Sequence, residues 1–124
     1  MLLDSNIVIH GAQGEHPALD AILDRTDLAV AGVTQIETLG FHRLSVLERH
    51  WLETTFDRVK ILKLDEAVTA RAINLRQERK MGLADAIIAA TALVHQLPLV
   101  TRNTADFKHV TGLQLMDPFA AKAV

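Results

Sequence analysis

The chain predicts an α/β fold, a three-layer α/β/α sandwich around a central parallel sheet. Short apolar segments alternate with longer segments of helical character, and three of the short ones, "MLL", "LAVAG" and "LPLVT", are apolar throughout rather than at every second residue. Strands of that kind are buried on both faces, as in a parallel sheet covered by helices. Length bounds the rest: 124 residues without repeats, low-complexity tracts or Gly/Ser-rich linkers suit a single domain over 1–124 and are too few for two.

The elements follow in order. "MLL" reads as a buried strand ending at Asp4, "SNIVIH" as a helical turn, and "GAQGEH" as a polar loop. Pro17 sits where a helix can begin, and "ALDAILDR" continues it with Leu19, Ile22 and Leu23 on one face. "LAVAG" is the second strand. A helix is predicted from Thr34 over "TQIETLGFHRL", and another over "SVLERHWLETTF", where Ser45 and Glu48 have capping-box spacing. "VKILKL" alternates as a strand. Asp65 opens the charged helix "DEAVTARAINLRQERK", Gly82 interrupts it, and "LADAIIAATALVHQ" forms an apolar helix. "LPLVT" is then a strand, "RNTADF" a turn and "LQLM" a last strand.

Composition excludes several chemistries. With no cysteine there is no disulfide framework, Cys-ligated zinc, iron–sulfur centre or thiol nucleophile. "MLLDSNIVIH" lacks the charged start and long apolar run of a signal peptide, and no stretch is long enough to cross a bilayer, so a soluble cytoplasmic protein is expected. A formal net charge of −2 is not the basic footprint of a protein that coats nucleic acid, although local Arg and Lys would still allow a nucleic-acid substrate.

Within this frame the carboxylate of Asp85 is out of place, because "LADAIIAATAL" otherwise holds only Leu, Ala, Ile and Thr. A buried carboxylate without a partner is costly, so something must share its site. Three other acids occupy comparable positions: Asp4 follows the first strand, Glu37 the second by a few residues, and Asp106 the "LPLVT" strand. In an open parallel sheet the carboxyl ends of the strands share one edge, where ligand sites form.

Taken singly, each acid has a structural reading. Asp4 suits an N-cap, Glu37 half of a capping box with Thr34, Asp85 the positive end of a helix dipole, and Asp106 a turn with Asn103 as cap. Taken together they read as a carboxylate cluster, which repels itself unless a cation is shared. Oxygen-only donors with no Cys and no paired His select a hard ion, Mg²⁺ or Mn²⁺. Such a centre suits phosphodiester hydrolysis by an activated water. Neither G-x-S-x-G nor G-x-x-x-x-G-K is present to offer another chemistry.

"LLDSNIVI", the Glu of "TQIETLG", "LADAIIAATAL" and "LVTRNTADF" together resemble, in order and along the whole chain, the PIN-domain family, and within it the VapC-like ribonuclease toxins of type II toxin–antitoxin pairs. The resemblance implies an Mg²⁺- or Mn²⁺-dependent endoribonuclease with Asp4, Glu37 and Asp85 as acidic metal ligands. The fourth acid falls in "TRNTADF", where Asp106 is the acid present and Asn103 occupies a nearby motif position. Ser5 and Thr101 match small hydroxyl positions that support the site or contact phosphate. The resemblance further implies a homodimer, a cognate antitoxin whose tail covers the active-site groove, and a structured RNA substrate such as tRNA.

Other signals carry less. Arg76, Arg79 and Lys80 suit a solvated helix face as well as RNA phosphates, and Arg102, beside the last acidic turn, is the better phosphate contact. None of the six histidines is spaced as a ligand pair, which makes most of them surface or loop residues. Trp51 and Phe56 read as core or dimer contacts. Two alternatives compete with the nuclease. A phosphoacceptor receiver domain would want adjacent acids after the first strand and a lysine after the last core strand, where this chain has Ser5 and Arg102. A non-catalytic PIN-like module binding RNA or a partner would have lost an acid such as Asp4 or Asp85.

Overall fold

Five short strands, β1 (Leu2–Leu3), β2 (Ala29–Ala31), β3 (Lys60–Leu62), β4 (Leu99–Val100) and β5 (Leu115–Met116), form one parallel sheet in the order β3-β2-β1-β4-β5. The structure, a computed structural model, describes residues 1–120; the last four residues of the expected 1–124 domain lie outside the described residues. Six α-helices are described: α1 (Ser5–Gln13), α2 (Asp20–Leu23), α3 (Gly32–Leu39), α4 (Val46–Arg58), α5 (Glu66–Glu78) and α6 (Leu83–His95).

Why the strands are apolar throughout is visible in the packing. Successive side chains point to opposite faces. Leu2, Ala29, Ala31, Leu62 and Leu99 join one core cluster with residues of α5 and α6, while Leu3, Val30 and Val100 join another with residues of α1 and α4. Both faces are covered, giving the three layers.

The register sets up the site. Leu2 pairs with Leu99 and Leu3 with Val100, so the next positions, Asp4 and Thr101, emerge side by side at the carboxyl edge. The chain lays β2 and β3 on one side of β1, then crosses over through α5 and α6 to lay β4 and β5 on the other. The change of direction leaves a crevice between the carboxyl ends of β1 and β4.

Element boundaries depart from the sequence reading in several places. The first helical turn runs on through Gly11 to Gln13 and stops at Gly14, whose left-handed φ of 73° and N–H bond to Gly11 O close the helix. A Cβ at Gly11 would stand 2.7 Å from the Trp51 ring, so this glycine is retained for close helix packing, and Trp51 is a core contact. The helix expected from Pro17 divides into a 3₁₀ turn (Pro17–Leu19) and the short α2. The helix expected over 34–44 starts earlier and ends earlier, at Gly32 and Leu39. Finally, "VKILKL" contributes only Lys60–Leu62 to the sheet, because β2 offers only three partners. The Ser45–Glu48 capping box is present, with reciprocal bonds of 3.1 Å. Among the described residues no helix is long and apolar enough to cross a membrane.

Candidate active site

Asp4 is the pivot of the carboxyl edge. It is the N-cap of α1, its Oδ1 accepting from Ser5 N at 2.8 Å, and its Oδ2 accepts from Thr101 Oγ1 at 2.7 Å. The capping role and the site role are therefore compatible: one oxygen serves the helix, the other is held across the β1–β4 crevice. Thr101 Oγ1 also accepts from Asn103 N at 3.0 Å and Asn6 Nδ2 at 3.4 Å, which uses both lone pairs and the proton of that hydroxyl.

Ser5 organises the neighbouring acid. Its Oγ donates to Glu37 Oε1 at 2.7 Å and lies 3.0 Å from the Oγ1 of buried Thr34. A serine hydroxyl has one proton, so Thr34 must be the donor to Ser5. This chain of hydroxyls orients Glu37 from the start of α1. The capping-box reading of Glu37 falls, because α3 begins at Gly32 with Ala31 as N-cap, placing Thr34 inside the helix.

Asp85 lies in the first turn of α6 behind the Gly82 N-cap, so its dipole reading holds geometrically. It is half-buried and lines a cleft with Asp106, Arg79, Lys80 and His109. Asp106 is the last residue of an exposed 3₁₀ turn (Thr104–Asp106) that Asn103 precedes without a side-chain capping bond.

The electrostatics join the four acids. Burial, followed in order by the opposing bonds from Thr101 and Ser5 and then repulsion from Asp85 and Glu37, leaves the Asp4 pKa raised to about 6. Asp85 is raised by burial first, then by the charges of Asp106 and Glu37. Asp4 and Asp85 thus each feel other acids, and negative charge accumulates around them. Among the described residues no three His, Cys, Asp or Glu side chains already close around one point. Carboxylates whose charges reach one another are nevertheless the kind of oxygen donor that suits a hard divalent cation.

The remaining expected residues fall in different roles. Ser5 and Thr101 are tied to the acids, as a supporting shell. Arg102 turns its guanidinium over the Phe119 ring, 4.5 Å from the centroid, and its backbone N–H donates to Asn6 Oδ1 at 3.4 Å. Arg76 Nε donates to Met81 O at 3.2 Å and braces the α5–α6 turn, whereas Arg79 and Lys80 line the cleft with the acids. Two residues had no sequence signal. Asn6 bridges Thr101 and Arg102, and His109, which lines the cleft, holds a buried Nε2 without a hydrogen-bond partner. A groove beside Glu37 is lined by Ile9, Ala12, Thr38, Phe41 and Leu44 among others.

Comparison with known proteins agrees with this architecture. Residues 1–113 match the PIN domain family. The chain is 32% identical over 128 residues to "Ribonuclease VapC10" of Mycobacterium tuberculosis, covering 97% of this chain and 93% of that one. It is 29% identical over 126 residues to the "tRNA(fMet)-specific endonuclease VapC" of Shigella flexneri, covering 94% and 96%. A solved toxin–antitoxin complex from Klebsiella pneumoniae superposes with a TM-score of 0.79 at 29% identity over 97% of this chain and 98% of its counterpart. DNA-bound VapBC from Salmonella typhimurium shares the fold at a TM-score of 0.82 and 21% identity, covering 94% and 96%. The chain belongs to the PIN-domain family, and its relatives there include VapC ribonucleases.

Proposed function

We propose that this protein is a divalent-metal-dependent endoribonuclease and the toxin of a toxin–antitoxin pair. The reading is supported by Asp4 held to Thr101 across the β1–β4 crevice, Glu37 tied to Ser5 beside it, Asp85 and Asp106 lining one cleft, and the raised pKa values of Asp4 and Asp85, to which the charges of neighbouring acids contribute. Asp4, Glu37 and Asp85 would hold Mg²⁺ or Mn²⁺, and Asp106, whose charge reaches Asp85, completes the set in preference to Asn103. Bound there, the ion supplies charge neutralisation at the scissile phosphate and lowers the pKa of a water.

The chain's own residues do the rest. Thr101 and Ser5 fix the two acids by bonds of 2.7 Å each, so little reorganisation remains when a cation and phosphate arrive. Arg79 and Lys80 flank Asp85 and Asp106 and are placed to hold RNA phosphates, positioning rather than reading the substrate. The substrate class is RNA, with tRNA the first candidate, given what the Shigella relative is named for. The apolar groove beside Glu37, with exposed Ile36, Val46 and Leu47 near it, is the surface for an antitoxin segment. A homodimer and a cytoplasmic location complete the proposal, as does one nuclease domain over the full 1–124.

The test uses partner-free protein with total cellular RNA in Mg²⁺, Mn²⁺ or chelator, beside Asp85→Asn. Discrete cuts that need the ion and Asp85 support the nuclease. No cutting by folded protein under any condition transfers the reading to a non-catalytic binding module.

A further inference from the structure

At the C-terminal end of α1, away from the acids, three side chains converge on one point. His10 Nδ1 lies 3.2 Å from His16 Nε2, and Gln13 Oε1 lies 3.2 Å from the first and 3.0 Å from the second. Hydrogen bonds cannot satisfy this triangle. The amide oxygen only accepts, so each imidazole nitrogen must donate to it, which leaves two N–H groups facing each other. If one nitrogen accepts instead, its lone pair faces that of the amide oxygen. Turning the amide end for end changes nothing, because no ring nitrogen both donates and accepts.

A cation bound by all three atoms would satisfy their lone pairs at once. Zinc bonds of about 2.0–2.1 Å in a tetrahedron place ligand atoms roughly 3.3 Å apart, close to the three separations found here. The surroundings agree. His10 and Gln13 belong to the last turn of α1, where unpaired carbonyls carry the negative end of the helix dipole. Gly14, in the left-handed region, turns the chain so that His16 folds back onto that turn. Phe119 lies edge-on to both imidazoles, 5.5 Å from each ring centroid, and walls one side.

We propose that His10, Gln13 and His16 form a second metal site, for Zn²⁺ or a similar borderline divalent ion, with water in the remaining position. Two imidazole nitrogens and one amide oxygen are a different donor set from the carboxylates at the crevice, and they select a different class of ion. The site ties the loop after α1 to the helix and, through the Phe119 ring, to Arg102.

The test measures Zn²⁺ uptake by the full chain in excess Mg²⁺, which occupies any hard-ion site, with Co²⁺ spectroscopy reporting coordination geometry. Wild type and Asp85→Asn are expected to take up a single ion alike. His10→Ala and His16→Ala should each weaken uptake by more than the roughly 10- to 100-fold that loss of an outer-shell partner costs. Gln13→Glu, which replaces a neutral oxygen donor by an anionic one, should tighten it. Circular dichroism confirms that each variant is folded; His16 lies in a loop, so His16→Ala carries the test if His10→Ala disturbs the helix. Absence of micromolar Zn²⁺ uptake in wild type, uptake unchanged in the folded histidine variants, uptake lost in Asp85→Asn, or uptake not tightened by Gln13→Glu would overturn the site.

Discussion

Asp4→Asn should make the metal-free protein more stable at neutral and alkaline pH, while removing its response to metal. Asp4 is only 5% exposed, and its pKa is raised from an ordinary 3.8 to about 6, by burial above all. Between those values the folded state binds more protons than the unfolded one. This group's contribution is therefore most favourable at low pH and is lost as pH rises through about 6. Above pH 7 the ionised carboxylate costs at most about 3 kcal/mol, at 1.36 kcal/mol per pH unit. Asparagine removes the charge and still accepts from Ser5 N. It gives up the Thr101 bond, because that hydroxyl's lone pairs already serve Asn103 and Asn6, a loss of about 1 kcal/mol. The net gain is about 1–2 kcal/mol at pH 8 in chelator, shrinking as pH is lowered from 6 toward 4. Urea titrations followed by Trp51, the single tryptophan, would measure it at both pH values. A variant no more stable than wild type at pH 8, or an advantage that does not shrink on acidification, would refute the reasoning.

Thr101→Val should raise the Asp4 pKa further and destabilise the metal-free protein by about 1–3 kcal/mol, since a buried carboxylate oxygen loses its donor; the pH dependence of unfolding checks both. Ser5→Ala should lower RNA cleavage about 10- to 100-fold with little change in melting temperature, because it frees Glu37 without emptying the core; equal loss of stability would contradict the positioning role. Asp106→Asn should lower cleavage more than Asn103→Ala, and the reverse order would give the fourth position to Asn103. Saturating Mg²⁺ or Mn²⁺, at about 100 times its Kd, should stabilise wild type by about 2.7 kcal/mol above pH 7 and less near pH 5, where protons compete; an unchanged melting temperature would count against the site.

The parallel sheet was legible because β1, β2 and β4 are apolar on both faces, a pattern that sheets with one solvated face do not produce. The positions of Asp4 and Asp106 after strands, and of Asp85 in an apolar helix, likewise point from the sequence to one sheet edge. Strand lengths were not legible, since Lys60–Leu62 ends where β2 runs out of partners, a property of another segment. Nor was the start of α3, which takes Gly32 into its first turn although glycine is a poor helix former. Asn6 and His109 reach the site only through the fold, by contacts across some 95 residues in one case and a turn between β4 and β5 in the other. The histidines were read as unpaired because the spacing from His10 to His16 fits no single helix. The turn at Gly14 joins them all the same.

That a cation is shared by the acid after β1 and those of α3 and α6 is tested most directly by titrating Mn²⁺ into partner-free wild type, Asp4→Asn and Asp85→Asn while following water-proton relaxation. Wild type should show saturable relaxation enhancement from protein-bound Mn²⁺ with water still on it, and both variants should lose it while remaining folded. Wild type without enhancement, or variants that match it, would contradict the shared-cation centre.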